Sequence, residues 1–296
     1  MRAAPRVLRT AALLLPLTLS GCSYLLPTRR HLPVPIAPSV VQTATPQQLV
    51  EKVNQQWNAL DNLTATVEIY ATEKKTAEGV ETSFPSCRGY IIISKPRNLR
   101  VAGTYFGVKL FDMASDGSNF TLVIPTKSTA IEGSNTVKEK SANQLENLRP
   151  DFFFDAIVVR GLNPGEEFMV AGDTETVEDT AKKHLYNEPE YVLSVMRREP
   201  GSQQLMPVRQ ITFHRDDLQP YEQNLYDEQG TLQTQILYAN YTNSGAGMYP
   251  SRVTINRPLE GIQLVLEVVR VQQNVNLPPG EFDVKAPDGF TVRQLK

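Results

Sequence analysis

The chain has 296 residues, room for one large or two modest domains, with 41% of positions in the AVILMFWYC set and 21% charged. Thirty basic against thirty-two acidic side chains leave a formal charge of -2, an ordinary foldable composition that argues against global disorder and against a strongly basic nucleic-acid binder. Three histidines and two cysteines, none of them clustered, leave little material for a zinc site or a disulfide scaffold.

Arg2, Arg6 and Arg9 open the chain without an acid, an apolar run follows from Ala11 to Leu19, and the small residues Ser20 and Gly21 precede Cys22. This is the order of a secretory signal, and the run is too short for a membrane-spanning helix, which takes about twenty apolar residues. Leu19-Ser20-Gly21-Cys22 resembles the lipobox of bacterial lipoproteins. The resemblance implies cleavage after residue 21, diacylglycerol on the Cys22 thiol and acylation of the new amino terminus. Several acyl chains anchor a protein stably, whereas one, at about 0.8 kcal/mol per buried methylene, holds it only marginally. Losing residues 1–21 removes three arginines and no acid, so the mature surface is more acidic and the acyl chains must do the anchoring. In that family an aspartate directly after the cysteine retains a protein at the inner membrane. Ser23 stands there instead, which implies the outer membrane, with the domain facing the periplasm. Cys87 is then left without a partner in the chain and is expected to be a small buried hydrophobe.

Residues 22–45 contain Pro27, Pro33, Pro35 and Pro38 and no acid, the composition of an extended tether at about 3.1 Å per residue. Thr45 as N-cap, Pro46 at the first helical position and Gln48 at the third predict a helix start, and Leu49, Val53, Trp57 and Leu60 mark its apolar stripe. The partner of that stripe is expected to follow at once. Leu63, Ala65, Val67, Ile69 and Ala71 alternate with polar residues, the period of a half-buried strand. Strand-like runs then dominate, near 87–94, 99–105, 108–115, 119–124, 128–132, 166–171, 190–198, 207–215, 221–226, 231–242, 249–256 and 261–273. Asp116-Gly117 and Asn243-Ser244-Gly245 favour hairpins, whereas residues 172–190 look like a polar insertion or loop. About a dozen short strands suggest one large antiparallel sheet or barrel.

Two runs stand apart. Pro150 and Asp151 begin a helix, Phe152 to Val159, whose apolar residues cover nearly the whole circumference, so it either plugs a core or covers the mouth of an apolar cavity. From 262 to 271, Ile262, Leu264, Leu266 and Val268 occupy one face and Val265, Val269 and Val271 the other, and both faces are expected to be covered. A curved sheet with helices inside its concave face would account for this.

The lipobox signal, the tether, the helix Thr45 to Leu60, the succession of strands and the closing element together resemble the LolA/LolB-like superfamily of periplasmic carriers and outer-membrane receptors for lipoproteins. That closing element runs from Leu277 to Phe290, with Phe282, Val284, Pro287 and Gly289 in the pattern F-x-V-x-x-P-x-G. The resemblance spans about residues 45–296 and is one of layout, with no catalytic signature in it. It implies a mainly β fold, a large, curved, unclosed antiparallel β-barrel with helices over the concave face and an apolar interior that accepts acyl chains of a lipid or lipoprotein. The division it implies is a signal at 1–21, a lipidated tether at 22–45 and a β-barrel domain at 46–296. Trp57, Val67, Ile69, Phe152, Phe153, Phe154, Ile157, Leu264 and Leu266 are the expected lining, opened or shut by movement of the Phe152 to Val159 helix. The same residues would equally serve as plain core.

No enzyme is expected. There is no G-x-S-x-G elbow for an acyl hydrolase, no G-x-G-x-x-G for a dinucleotide and no His/Cys spacing for a metal, so neither a cofactor nor a metal is called for. His31 falls in the tether, His184 in a polar stretch and His214 in a strand. Asp216-Asp217 and the pair Glu188 and Glu190 are the solvated acids common at strand ends. The rival to lipid binding is an envelope interaction or assembly protein that uses the sheet as a protein-binding surface. Tyr221, Tyr226, Tyr238, Tyr241 and Tyr249 would be its anchors, unless they are ordinary sheet residues.

Overall fold

The computed structural model describes residues 34–38, 40–75, 79–135, 150–179, 184–244 and 247–295. The expected signal, Cys22 and the start of the tether lie outside them. The Thr45 hydroxyl accepts from the Gln48 N–H at 3.2 Å and the Gln48 side chain accepts from the Thr45 N–H at 2.8 Å, the reciprocal cap that starts α1 (Pro46–Ala59). Seven strands follow: β1 (Asn62–Lys75), β2 (Val80–Ser83), β3 (Cys87–Ser94), β4 (Asn98–Tyr105), β5 (Val108–Ser115), β6 (Asn119–Ile124) and β7 (Thr129–Ser134). After α2 (Pro150–Ile157) come β8 (Glu166–Asp179), β9 (His184–Arg198), β10 (Leu205–His214), β11 (Pro220–Tyr226), β12 (Leu232–Asn243), β13 (Met248–Arg257), β14 (Ile262–Gln273) and β15 (Thr291–Gln294).

All fifteen strands form one mainly antiparallel sheet, ordered β15-β7-β6-β5-β4-β3-β1-β14-β13-β12-β11-β10-β9-β8, with β2 added on β1. Only β15, which joins β7, runs parallel to its neighbour. The end strands β15 and β8 do not pair with each other, so the sheet is unclosed. Nearly every neighbour is a hairpin partner. The long-range seam is β1 against β14, from Leu63 opposite Gln273 to Glu73 opposite Ile262. The registers give the sheet two ends. The start of β1 shares the lower end with the β8–β9, β10–β11 and β12–β13 turns, while the end of β1 shares the upper end with the β4–β5 and β6–β7 turns.

The curvature follows from what α2 touches. Phe152, Phe153, Phe154, Ala156, Ile157 and Val158 are all buried, in one cluster with inward residues of β1, β3 to β7 and β12 to β14. A helix apolar on all sides can be satisfied only if the sheet wraps around it. Successive strands supply the matching alternation, as Leu63, Ala65, Val67 and Ile69 face in along β1.

Several sequence expectations change. The α1 stripe does not cover β1. Leu49, Val50 and Val53 pack against Leu193, Val195, Ile211 and Phe213 of β9 and β10, and only Trp57 and Leu60 reach the α2 cluster. Periodicity shows that a stripe must be buried but not which strand buries it. Residues 172–179 and 184–190 are strand, not loop. They complete β8 and β9, fourteen consecutive pairs from Glu166 opposite Arg197 to Asp179 opposite His184, on a ribbon that is polar because much of it faces water on both sides. Nor is β14 covered on both faces, since Ile262, Leu264 and Leu266 are buried while Val269 is exposed. The short strands β2 and β15 carry no apolar alternation and are set only by their neighbours.

From Ile36 the Pro-rich segment lies against the sheet. Its Ile36 N–H donates to Leu185 O at 2.7 Å and its carbonyl accepts from Asn187 at 3.0 Å, beside a part of β9 that β10 does not reach. Gln42 and Arg215 exchange two further hydrogen bonds, Gln42 N–H to Arg215 O at 2.6 Å and Arg215 Nε to Gln42 O at 3.1 Å. At the other end of the chain the closing element brings Glu281 to Arg100 at 2.9 Å, and Arg100 also holds Asp112 in a two-pronged contact. Burial alone would raise the Asp112 pKa, but hydrogen bonds from Arg100 and Lys109 keep the carboxyl below its usual range.

Candidate functional site

The carboxyl end of α2 and the segment that follows it are held by side chains from three strands. Gln223 of β11 donates to Asp155 O at 2.8 Å, and the Tyr249 hydroxyl of β13 donates to Ile157 O at 2.9 Å. Arg209 of β10, 3% exposed, donates to Arg160 O and Gly161 O, both at 2.7 Å. The last carbonyls of a helix have no intrahelical donor, so in a buried setting such partners are obligatory. Burial, reinforced by the neighbouring Arg160, lowers the Arg209 pKa to about 10, which leaves the guanidinium charged at neutral pH. Burial raises Tyr249, so its hydroxyl remains a donor.

Space remains above and below the helix. At the upper end a partly open cavity of about 430 Å³ has almost wholly apolar walls, within the range of about 300–1,000 Å³ common for small-molecule sites. Ile69 and Ala71 of β1 form one wall with Leu264 of β14, Phe153 of α2 forms the floor, and the upper parts of β4, β5 and β6 close the other side. Lys127 stands at the rim. Cys87 lines the cavity, and burial with the nearby Glu68 carboxylate raises its pKa, so the thiol stays protonated at neutral pH. At the lower end a cleft of about 380 Å³ is lined partly by Ile157, Val158 and Val159 and partly by glutamines and tyrosines, among them Gln55, Gln219, Tyr238 and Tyr241.

The expected lining residues separate accordingly. Ile69, Phe153 and Leu264 face the upper cavity, and Ile157 faces the lower cleft. Val67, Phe152, Phe154 and Leu266 are buried in the packed core. Trp57 sits edge-on to Phe154, ring centroids 6.2 Å apart, under Lys95. Most of the upper cavity was not foreseen, because residues such as Leu110, Phe111, Met113 and Leu122 look like any inward strand position and nothing local marks which of them face a void. Three of the five tyrosines point inward, while Tyr221 and Tyr226 are half-buried outside the core, Tyr221 stacked on His214. Tyr238 and Tyr249 are buried, and the Tyr241 hydroxyl donates to Pro220 O at 2.5 Å.

The β4–β5 turn projects beside the upper cavity. Phe106 is 91% exposed, with its ring against Tyr105 at 4.6 Å, and its φ is +45° ahead of Gly107 at +81°. Two left-handed residues in a two-residue hairpin turn favour Asn-Gly, and phenylalanine there is conformationally unfavourable.

Against solved structures, the chain aligns with a LolA superfamily protein from Nitrosomonas europaea at TM-score 0.51 and 17% identity, covering 81% of this chain and 98% of that one. The chain shares that fold. A DUF1329 family protein from Desulfovibrio piger aligns equally well, at TM-score 0.51 and 13% identity, covering 80% of this chain and 95% of the other. No protein-family model and no curated protein matches the sequence.

The Arg209 contact has a measurable cost of removal. Arg209→Leu leaves the Arg160 and Gly161 carbonyls without that donor and is expected to lower unfolding stability by about 2–6 kcal/mol, at about 1–3 kcal/mol for each lost partner. Urea denaturation reads this directly, and a variant as stable as the parent would show that Arg209 does not hold the segment after α2.

Proposed function

We propose that the chain is an envelope lipoprotein, anchored through acyl chains on Cys22, that holds acyl chains of a lipid or of another lipoprotein in the upper cavity. The role this serves is lipoprotein sorting, insertion or lipid transport at the outer membrane, on its periplasmic side. The observation that carries the reading is the cavity itself, about 430 Å³ with apolar walls and an open side, beside the core that encloses α2. Burying apolar surface at about 25 cal/mol per Å² makes such walls a reversible solvent for hydrocarbon, a task of partitioning and not of bond-making. The shared LolA superfamily fold supports the same reading.

The exposed ring of Phe106 beside the opening fits this role. A residue strained in the turn and turned to water gains nothing for the fold, whereas it would gain by entering a lipid surface or the apolar part of a cargo. The competing reading, a protein-binding sheet face anchored by tyrosines, loses part of its support because Tyr238 and Tyr249 are buried and Tyr241 packs against the core.

Three measurements test the proposal. In a Cys22→Ala chain Cys87 is the sole thiol, and a fatty acid in the cavity is expected to slow its alkylation at high pH, while Ala71→Phe, which fills the space, is expected to weaken fatty-acid binding roughly tenfold. Unchanged alkylation and unchanged binding in Ala71→Phe would remove the cavity as the site. Phe106→Asn is expected to keep or raise the melting temperature, since asparagine adopts the left-handed conformation more readily, while reducing association with liposomes. Equal association would leave Phe106 without a role. In the cell, Cys22→Ala is expected to abolish incorporation of labelled palmitate and to release the protein from the membrane fraction; persistence of either argues against the anchor.

A further inference from the structure

The sheet ends on β8, and that edge differs from its opposite. β15 is a four-residue strand, a short edge of the kind that discourages further pairing. β8 is fourteen residues long, contains no proline, and pairs with β9 without a bulge along its whole length. Among the described residues, β9 is its sole strand neighbour. Long, regular and unpaired is the geometry of an edge that accepts another strand. In its upper half Phe168 and Met169 are exposed on opposite faces, within the uncharged stretch Phe168 to Gly172.

The charge along this edge is one-sided. β8 carries six acids and no base. Beyond Gly172 its acids stand directly opposite those of β9, Asp173 across from Glu190 and Glu175 across from Glu188. Like charges in directly opposed positions destabilise an antiparallel pair, so the ribbon keeps an arrangement that works against its own folding. Burial, with Glu175 and Asp173 adding to it, raises the Glu190 pKa, and the Tyr221 hydroxyl donates to that carboxylate. The strap at Ile36 ties down the β9 side of the ribbon and leaves the β8 side open.

We propose that the β8 edge is a docking site for an extended, basic segment of a partner protein, which adds as a further strand and sets lysine or arginine side chains against Asp173, Glu175 and Glu188. Main-chain hydrogen bonds supply affinity, Phe168 and Met169 receive alternate apolar side chains, and the carboxylates select the sign of the partner. A second copy of this chain is disfavoured as occupant, because edge-to-edge pairing would bring together two strands that each carry six acids and no base.

The test uses the full-length protein in mild detergent and short fluorescein-labelled peptides of alternating valine with lysine or valine with glutamate. The lysine peptide is expected to bind and the glutamate peptide not, with binding weakening as salt rises. Hydrogen exchange of the β8 amides is expected to slow on binding. Met169→Lys with Ala171→Lys, both on the exposed edge, is expected to weaken the lysine peptide roughly tenfold, and Glu175→Gln with Glu188→Gln to weaken it less and flatten the salt dependence. The idea is overturned by any of three results: equal binding of both peptides, binding without protection of β8, or a dimer through β8 in the peptide-free protein. Fatty-acid binding in the same variants should not change, which separates failure of this proposal from failure of the cavity.

Discussion

The structure depends on one requirement, that a helix apolar around nearly its whole circumference be enclosed. Three consecutive phenylalanines in α2 leave no side for water, and a flat sheet covers only one side. Wrapping the sheet around α2 buries all of them, but it also buries the carboxyl end of the helix, whose carbonyls then need donors. Gln223 and Tyr249 meet that need from two strands, while Arg209 from a third holds the Arg160 and Gly161 carbonyls just beyond the helix.

Length decides what stays empty. Eight residues of α-helix rise about 12 Å, whereas fourteen residues of strand in β1 extend about 46 Å. A plug this short cannot fill the curve from end to end. What remains above it is walled by inward strand residues, hence apolar. What remains below is walled by α1, the lower turns and a tyrosine-rich part of β12 and β13, hence mixed. The different character of the two spaces therefore comes from which part of each strand borders them, and it places the hydrocarbon-compatible volume at the end that carries Phe106.

The two ends of the sheet also divide the molecule's outward contacts. The strap from Ile36 to Ala44 leaves at the lower end, beside the acidic ribbon of β8 and β9, while the cavity opens at the upper end. An anchor attached through the strap and a ligand entering the cavity would meet the protein about a strand's length apart. The unclosed sheet would hold the two on one continuous framework.

Much of the framework was legible before any tertiary information. The α1 cap at Thr45 and Gln48, the strand alternation from Leu63 to Ala71 and the helix behind Pro150 depend on neighbours within a few residues, and local patterns specify them. The mainly β layout, one large unclosed antiparallel sheet with helices, was legible in the order of these elements. Which strand buries α1, the pairing of the acids in β8 and β9 and the inward commitment of Tyr238, Tyr241 and Tyr249 depend on residues far apart in the chain. The void followed the same logic: Ile69 and Val67 alternate identically in sequence, yet one faces the cavity and the other is packed, because the difference lies in how far a short helix reaches along a long strand. By itself the sequence determined that an apolar helix must be wrapped by sheet; only the tertiary structure decided where the wrapping leaves room, since empty volume belongs to the fit between elements and to no residue alone.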